Sequence, residues 1–163
     1  AGDVAVAGCP AHYICRTSWV VGDGHNFART MAGLSDRVAD EGDGLSQVTV
    51  VDDQLGRLTF TSELARGIFH LLDSRAAFGT YDMTCSGETV SWAQIAREVF
   101  EARNGNGDAV KPVSTEDYFA SAEGPIAPRP HFSTLDLAKI EATGFEPRDW
   151  RDCLSEYMST KID

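Results

Sequence analysis

Tyr157 and Lys161 have the residue types and the spacing that come nearest to a reaction centre in this 163-residue chain. Four positions apart in a helix, they would place a phenol and an ammonium group one turn apart, as reductive hydride chemistry requires. Tyr157 also continues an apolar stripe formed by Trp150, Leu154 and Met158. Because a lone short motif is weak evidence, we interpret Tyr157 as a core residue and predict no catalytic residue in the chain.

Two glycine pairs have the spacing of the first two glycines in a dinucleotide-binding loop, namely Gly22 with Gly24 and Gly105 with Gly107. Such a loop needs G-x-G-x-x-G between a strand and a helix, so that the backbone can approach the pyrophosphate. The third glycine position after the first pair is Phe27, and the second pair follows a helical pattern rather than a strand. We therefore interpret both pairs as turns.

The histidines and cysteines do not have the spacing of a metal site. No C-x-x-C or H-E-x-x-H pattern occurs, so we predict no metal ion. The cysteines are also too sparse for a disulfide scaffold, and we predict reduced thiols that are mostly buried. The residues concerned are His12, His25, His70, His131, Cys9, Cys15, Cys85 and Cys153.

Composition excludes several classes of protein. The 14 Lys and Arg against 25 Asp and Glu give a net charge of −11, which argues against a nucleic-acid partner because phosphate repels such a chain. No apolar run approaches the roughly 18 residues of a membrane span, and no basic segment precedes a signal-like stretch. We therefore predict a cytoplasmic protein without a membrane partner, organised as a single domain over residues 1–163.

Hydrophobic periodicity and capping residues predict strands that alternate with helices. Asn26 can cap the first clear helix, the Ser91 and Gln94 pair has the capping-box spacing of another, and Asn104 with Gly105 closes that helix. This alternation predicts an α/β fold with a mixed, partly parallel sheet and flanking helices. The predicted strands cover 12–18, 47–51, 79–84 and 110–113, and the predicted helices cover 27–38, 62–72, 91–104, 133–142 and a last one starting near Pro147.

Three segments together resemble one known family. They are R-T-S-W-V-x-G at 16–22, D-Q-x-G-R-x-T at 53–59 and R-P-x-x-S-x-L-D at 129–136. In this order they resemble the C-terminal half of the dTDP-4-dehydrorhamnose reductase family, which are extended short-chain dehydrogenases that reduce the 4-keto group of a nucleotide sugar with NAD(P)H. The resemblance covers essentially the whole chain. It implies the C-terminal part of a Rossmann-type enzyme without its N-terminal nucleotide-binding half.

The resemblance also implies substrate-binding residues. Trp19 would offer a flat apolar face to the deoxysugar, and Arg57 and Arg129 would bind the diphosphate, since guanidinium groups bind phosphate bidentately. Each residue has a structural alternative, which is core packing for Trp19 and an ion pair for either arginine.

A second group of residues follows from the same segments. Thr17 and Ser18 would contact the nicotinamide end of the cofactor, whereas Asp53 and Gln54 would fix the geometry of their loop. Ser62 stands where some relatives have a metal-binding carboxylate, so no metal site is transferred. Leu58 stands where the family usually has proline.

The function implied is the substrate-binding portion of an NAD(P)H-dependent reductase that makes dTDP-L-rhamnose. The family's glycine-rich loop and catalytic Tyr-x-x-x-Lys lie upstream of the R-T-S-W strand, so we expect this portion alone to be inactive and to bind neither NADPH nor NADH. The alternatives are a non-catalytic nucleotide-sugar-like binding or regulatory subunit, or another extended short-chain enzyme such as a nucleotide-sugar epimerase. The expected partners are a dTDP-sugar and, through the strands at 12–18 and 79–84, a second copy of the chain.

Overall fold

Helices and strands alternate along the chain in the computed structural model, which describes residues 1–121 and 124–162. The helices are α1 (Gly2–Ala7), α2 (Phe27–Ala39), α3 (Thr61–Asp73), α4 (Trp92–Asn104), α5 (Thr115–Phe119), α6 (Ala138–Glu141) and α7 (Trp150–Lys161). The strands are β1 (Tyr13–Arg16), β2 (Val20–Val21), β3 (Val48–Val51), β4 (Leu55–Gly56), β5 (Thr59–Phe60), β6 (Gly79–Asp82), β7 (Val90–Ser91) and β8 (Val110–Val113).

The strands pair mostly in parallel. Strand β1 runs beside β6 with Tyr13 opposite Gly79, β3 runs beside β8 with Val48 opposite Val110, and the short β2 runs beside β5. Strand β4 pairs with β7 in the antiparallel direction. The predicted mixed, partly parallel α/β architecture is therefore confirmed.

Capping residues fix the ends of α2 and α4, two helices that pack side by side. The side chain of Asn26 accepts a hydrogen bond from the backbone N–H of Arg29 at the start of α2. Ser91 and Gln94 form the predicted capping box of α4, and Gly105 ends that helix in the left-handed conformation at φ +71°, which glycine adopts without steric cost. The predicted Asn26 cap, the Ser91–Gln94 capping box and the end of α4 at Gly105 are therefore confirmed.

Two clusters of buried side chains form the core. The larger cluster joins α2, α4 and α7 to β3 and β8, and it includes the fully buried Trp150 and Phe100. The smaller cluster lies between β6, α3 and α6, around Leu71 and Tyr81. The molecule thus has one extensive core and one small core beneath α3.

The structure corrects two predictions about helices. The predicted helix at 133–142 forms only over Ala138–Glu141, because 131–133 instead pairs with β4 through the backbone of Leu55. Helical spacing predicts that Leu64, Ile68, Leu71 and Leu72 form one apolar face of α3, and this face is only partly inward. Leu71 is buried, whereas Ile68 and Leu72 are exposed, since the small core beneath α3 does not extend to them.

The cysteines are all free, as predicted, but they differ in burial. Cys85 and Cys153 are buried, Cys15 is half-buried and Cys9 is the exposed one of the four. Burial raises the pKa of the Cys85 thiol to about 12, which keeps it protonated at neutral pH. No helix within the described residues is long and apolar enough to cross a membrane.

Candidate functional site

A cavity of about 210 Å³ with aromatic walls lies beside β3. Its walls come from β3, the first turns of α2 and α4, the end of α5 and the segment before residue 131. We call this feature the aromatic cavity. It is lined by Phe27, Met31, Thr49, Val50, Val51, Gln54, Trp92, Tyr118, Phe119 and Arg129.

Helix ends bring the aromatic side chains together. Phe27 is the first residue of α2 and Trp92 is the first residue of α4, so each follows directly on a side-chain cap. Tyr118 and Phe119 end the short helix α5, whose first turn is capped by Ser114. Sequence analysis did not identify any of these four aromatic residues as part of a site. The one local signal that could have predicted α5 is Ser114, which stands three residues before Asp117 and caps the helix.

Arg129 lies at the cavity wall with an exposed side chain. It makes no hydrogen bond or ion pair with any residue in 1–121 or 124–162. The segment that follows it is fixed, because the backbone N–H of Leu55 donates to His131 O at 2.8 Å and that of Ser133 donates to Leu55 O at 2.7 Å. An exposed guanidinium beside an apolar cavity is suited to bind a phosphate or carboxylate.

Trp19 packs behind the aromatic cavity rather than in its wall. Its ring stacks on Trp92 with centroids 3.7 Å apart and planes 19° apart, and it lies so close to Gly56 that a Cβ there would be 2.8 Å from the indole. The backbone of Trp19 is left-handed at φ 48°, a conformation that non-glycine residues adopt at a cost. These contacts are those of a packed residue, and the sugar contact of Trp19 stays a prediction.

Arg57 and Arg129 are not brought together in the aromatic cavity. The Nη2 of Arg57 donates to the carbonyl of Leu135 at 2.6 Å, and its Nε is buried without a partner among the described residues. Burial lowers the pKa of the Arg57 guanidinium. Its role at a diphosphate therefore stays a prediction, with no support from the lining of this cavity.

Thr17 and Ser18 follow the end of β1, apart from the aromatic cavity. Thr17 is exposed, and the hydroxyl of Ser18 donates to the carbonyl of Ser133 at 2.9 Å. Only these two residues were predicted to contact a nicotinamide cofactor. Since the chain has no G-x-G-x-x-G loop, its residues do not fit a complete dinucleotide.

A hydrogen-bond chain connects Asp53, Thr115 and Gln54 beside the aromatic cavity. The carboxylate of Asp53 accepts from both the backbone N–H and the hydroxyl of Thr115, and these bonds lower the pKa of Asp53. The amide nitrogen of Gln54 donates to the Thr115 hydroxyl at 2.9 Å. Asp53 and Gln54, in the loop after β3, are thus both bonded to Thr115 at the start of α5.

Tyr157 is held by three polar groups. Its hydroxyl accepts from Asn26 Nδ2 at 2.8 Å and from Arg29 Nε at 2.9 Å, and it donates to the carbonyl of Gly22 at 2.7 Å. The residue is 7% exposed. Its observed contacts are those of a core residue that fastens α7 to the start of α2.

No group of three or more His, Cys, Asp or Glu side chains that could hold a metal ion occurs in the part of the chain that the structure describes.

Comparison with known proteins agrees with this architecture. The family model described as the RmlD substrate binding domain matches residues 1–162. The spore coat polysaccharide biosynthesis protein SpsK of Bacillus subtilis is 36% identical over 149 residues, covering 91% of this chain and 47% of the relative. The chain thus spans about half the length of the curated relatives it matches.

Solved structures also match this chain over about half of their own length. A dTDP-4-dehydrorhamnose reductase from Clostridium acetobutylicum superimposes with a TM-score of 0.75 at 34% identity, over 90% of this chain and 48% of that one. The dTDP-4-dehydrorhamnose reductase of Bacillus anthracis, solved in complex with NADP, matches with a TM-score of 0.72 at 31% identity, over 91% and 48% respectively. This chain therefore belongs to the RmlD substrate binding domain family.

Proposed function

We propose that the chain is the nucleotide-sugar-binding part of a dTDP-4-dehydrorhamnose reductase and that the aromatic cavity holds part of the bound dTDP-sugar. The observation that carries this proposal is Arg129, which has no hydrogen-bond or ion-pair partner among the described residues and lies beside a cavity with aromatic walls. The aromatic walls suit a ring, and the guanidinium suits the diphosphate attached to it. In a protein with net charge −11, such a local cation matters because the rest of the molecule repels the ligand.

The reducing cofactor of the whole enzyme is NADPH in this proposal. The relative from Bacillus anthracis was solved with NADP, and Thr17 and Ser18 stay the residues of this chain that we expect near the nicotinamide. Hydride transfer would be the contribution of the nicotinamide when it is bound. This chain contributes the position of the sugar. We expect the chain alone not to oxidise NADPH in the presence of the substrate.

Isothermal titration of the chain with dTDP-L-rhamnose tests the proposal. We expect binding, and we expect Arg129→Ala to weaken it by about tenfold or more, because a hydrogen bond to a charged group is worth about 1.5–3 kcal/mol. Arg97→Ala, which removes an exposed arginine of α4 outside the aromatic cavity, is the matched control and should leave the affinity unchanged. Equal affinities of the wild-type chain and Arg129→Ala would overturn the proposal.

A further inference from the structure

Two of the four cysteines, Cys85 and Cys153, meet in the large core cluster although they lie far apart in the chain. Cys85 is 0% exposed and Cys153 is 4% exposed. A hydrogen bond joins their two side chains, so the sulfur atoms are in contact. Cys9 and Cys15 lie outside this cluster. We call Cys85 and Cys153 the thiol pair.

Backbone contacts hold the two halves of the thiol pair together. The backbone N–H of Ser86 donates to the carbonyl of Arg148 at 2.8 Å, and Ser86 also forms a bridge with Asp149, the N-cap of α7. Cys85 directly precedes Ser86. Cys153 lies one helical turn after Asp149, whose carbonyl accepts its N–H at 3.2 Å. The segment after β6 and the first turn of α7 are therefore bonded to each other next to the two sulfur atoms.

This arrangement meets the main requirement for a disulfide. Two cysteines can be bridged without moving the backbone only where their Cα atoms already lie within about 7 Å and their side chains point towards each other. Thiols that share a hydrogen bond, on segments that are themselves bonded, need only a short approach of the two sulfur atoms. The pair therefore has the geometry for an intramolecular disulfide.

The two thiols differ in how readily they react. Burial raises the pKa of Cys85 to about 12. Burial also raises the pKa of Cys153, but the guanidinium of Arg148 acts against this rise. Because the thiolate is the nucleophile, the folded chain should stay reduced without an added oxidant. Cys153, which is less enclosed and has a cation nearby, is the thiol that should react first.

We propose that the thiol pair is a redox-sensitive site, in which hydrogen peroxide converts Cys85 and Cys153 into a disulfide that fastens the start of α7 to the segment after β6. The Cys153 sulfur attacks one oxygen of the peroxide. A sulfur–oxygen bond forms, the oxygen–oxygen bond breaks, and the other oxygen leaves as water with the thiol proton. The Cys85 sulfur then attacks the sulfenic acid, so that the sulfur–sulfur bond forms and the hydroxyl leaves as a second water.

The disulfide should make the chain more stable. It would close a long loop that contains α4, β8, α5 and α6, and a crosslink restricts the unfolded chain more when the loop it closes is long. We therefore expect the midpoint of thermal unfolding to rise by about 5–15 °C on oxidation. This effect is separate from the proposed binding of a nucleotide sugar.

Peptide mapping of the wild-type chain after treatment with hydrogen peroxide tests the proposal without any substitution. We expect a peptide in which Cys85 is linked to Cys153, and we expect dithiothreitol to separate it. Oxidation of the exposed Cys9 in the same sample shows that the oxidant was active.

A chain with Cys9→Ser and Cys15→Ala, which keeps only the thiol pair, gives the second measurement. Peroxide should lower its mass by that of two hydrogen atoms and raise its unfolding midpoint, and dithiothreitol should reverse both changes. The matched control adds Cys153→Ala to the same chain. Compared with its own untreated sample, this control should show neither the loss of mass nor a reversible rise in the midpoint.

The proposal is overturned if Cys9 is oxidised while no peptide links Cys85 to Cys153. It is also overturned if the chain with two cysteines gains oxygen, or forms disulfides between two copies, in place of the intramolecular bond. An unchanged unfolding midpoint in the oxidised chain would contradict the fastening of α7. If either variant is unfolded by circular dichroism, the peptide map of the wild-type chain decides alone.

Discussion

The region around the aromatic cavity and the region around α3 are built differently. The cavity region, formed by α2, α4, α7 and the β3–β8 pair, contains the large core cluster. The α3 region, formed by α3 with the β1–β6 pair, contains a six-residue cluster and exposes Phe69 at 64% and Phe78 at 58%. The cavity region thus packs its apolar side chains into one extensive core, whereas the α3 region leaves large apolar groups in solvent.

This difference indicates where each region makes its external contacts. Large apolar groups that are exposed together often mark a surface that binds another protein. The ligand contacts proposed above lie in the cavity region, and the predicted self-association of the chain lies in the α3 region. Substitutions in the two regions should therefore affect different properties.

The largest effect on stability should come from Trp150→Ala in the cavity region. Trp150 is fully buried, and its Nε1 donates to the carbonyl of Glu88 at 2.9 Å. We expect the free energy of unfolding to fall by about 3–5 kcal/mol, measured by urea denaturation. Phe69→Ala in the α3 region removes a ring of similar chemistry and should cost less than about 1 kcal/mol. Equal losses would mean that the two regions do not differ in packing.

Gly56→Ala should be the next most damaging change. The added methyl group would lie 2.8 Å from the Trp19 ring, which is itself stacked on Trp92, so we expect a loss of about 1–3 kcal/mol. Gly33→Ala is the control, since a Cβ there meets nothing within 4 Å. In the interior of α2 it should stabilise the protein by about 0.5–1 kcal/mol. Thermal unfolding that shows the same sign for both variants would contradict the packing described for Trp19.

Tyr157→Phe should cost about 1–2 kcal/mol, because Asn26 and Arg29 would lose the acceptor that they share. The matched control is Tyr118→Phe. Tyr118 is exposed and its hydroxyl makes no hydrogen bond with the described residues. The urea midpoint of Tyr118→Phe should therefore equal that of the wild-type chain. If Tyr157→Phe also leaves the midpoint unchanged, the hydroxyl does not fasten α7 to α2.

Phe69→Asp should have the smallest effect on stability, within about 0.5 kcal/mol, because an exposed side chain loses little by substitution. It should nevertheless reduce self-association, which light scattering at several protein concentrations measures. Phe132→Asp changes another exposed phenylalanine outside the α3 region and serves as the control. A wild-type chain that stays monomeric at high concentration would refute the predicted self-association.

Sequence reasoning succeeded where the signal was local. The caps at Asn26 and Ser91 and the glycine at 105 determine the ends of α2 and α4 through neighbours within a few residues. It failed at 133–137 because Ser133 is bonded to the backbone of Leu55 and to the hydroxyl of Ser18, both of which lie far away in the chain. A helical pattern cannot reveal such a partner.

The candidate site was predicted less completely than the fold. The R-P motif identified Arg129, which the structure places at the aromatic cavity. Gln54 donates to the hydroxyl of Thr115, 61 positions away, so this contact has no local sequence signature. The four aromatic wall residues lie at helix ends, where periodicity predicts only burial.

The contact between Tyr157 and Gly22 spans 135 positions of the chain. During synthesis, the polar groups at the start of α2 can therefore gain this partner only after α7 has left the ribosome. Contacts of such separation are formed late because closing a long loop costs entropy. In the nascent chain, the start of α2 should thus lack this partner until synthesis has passed α7.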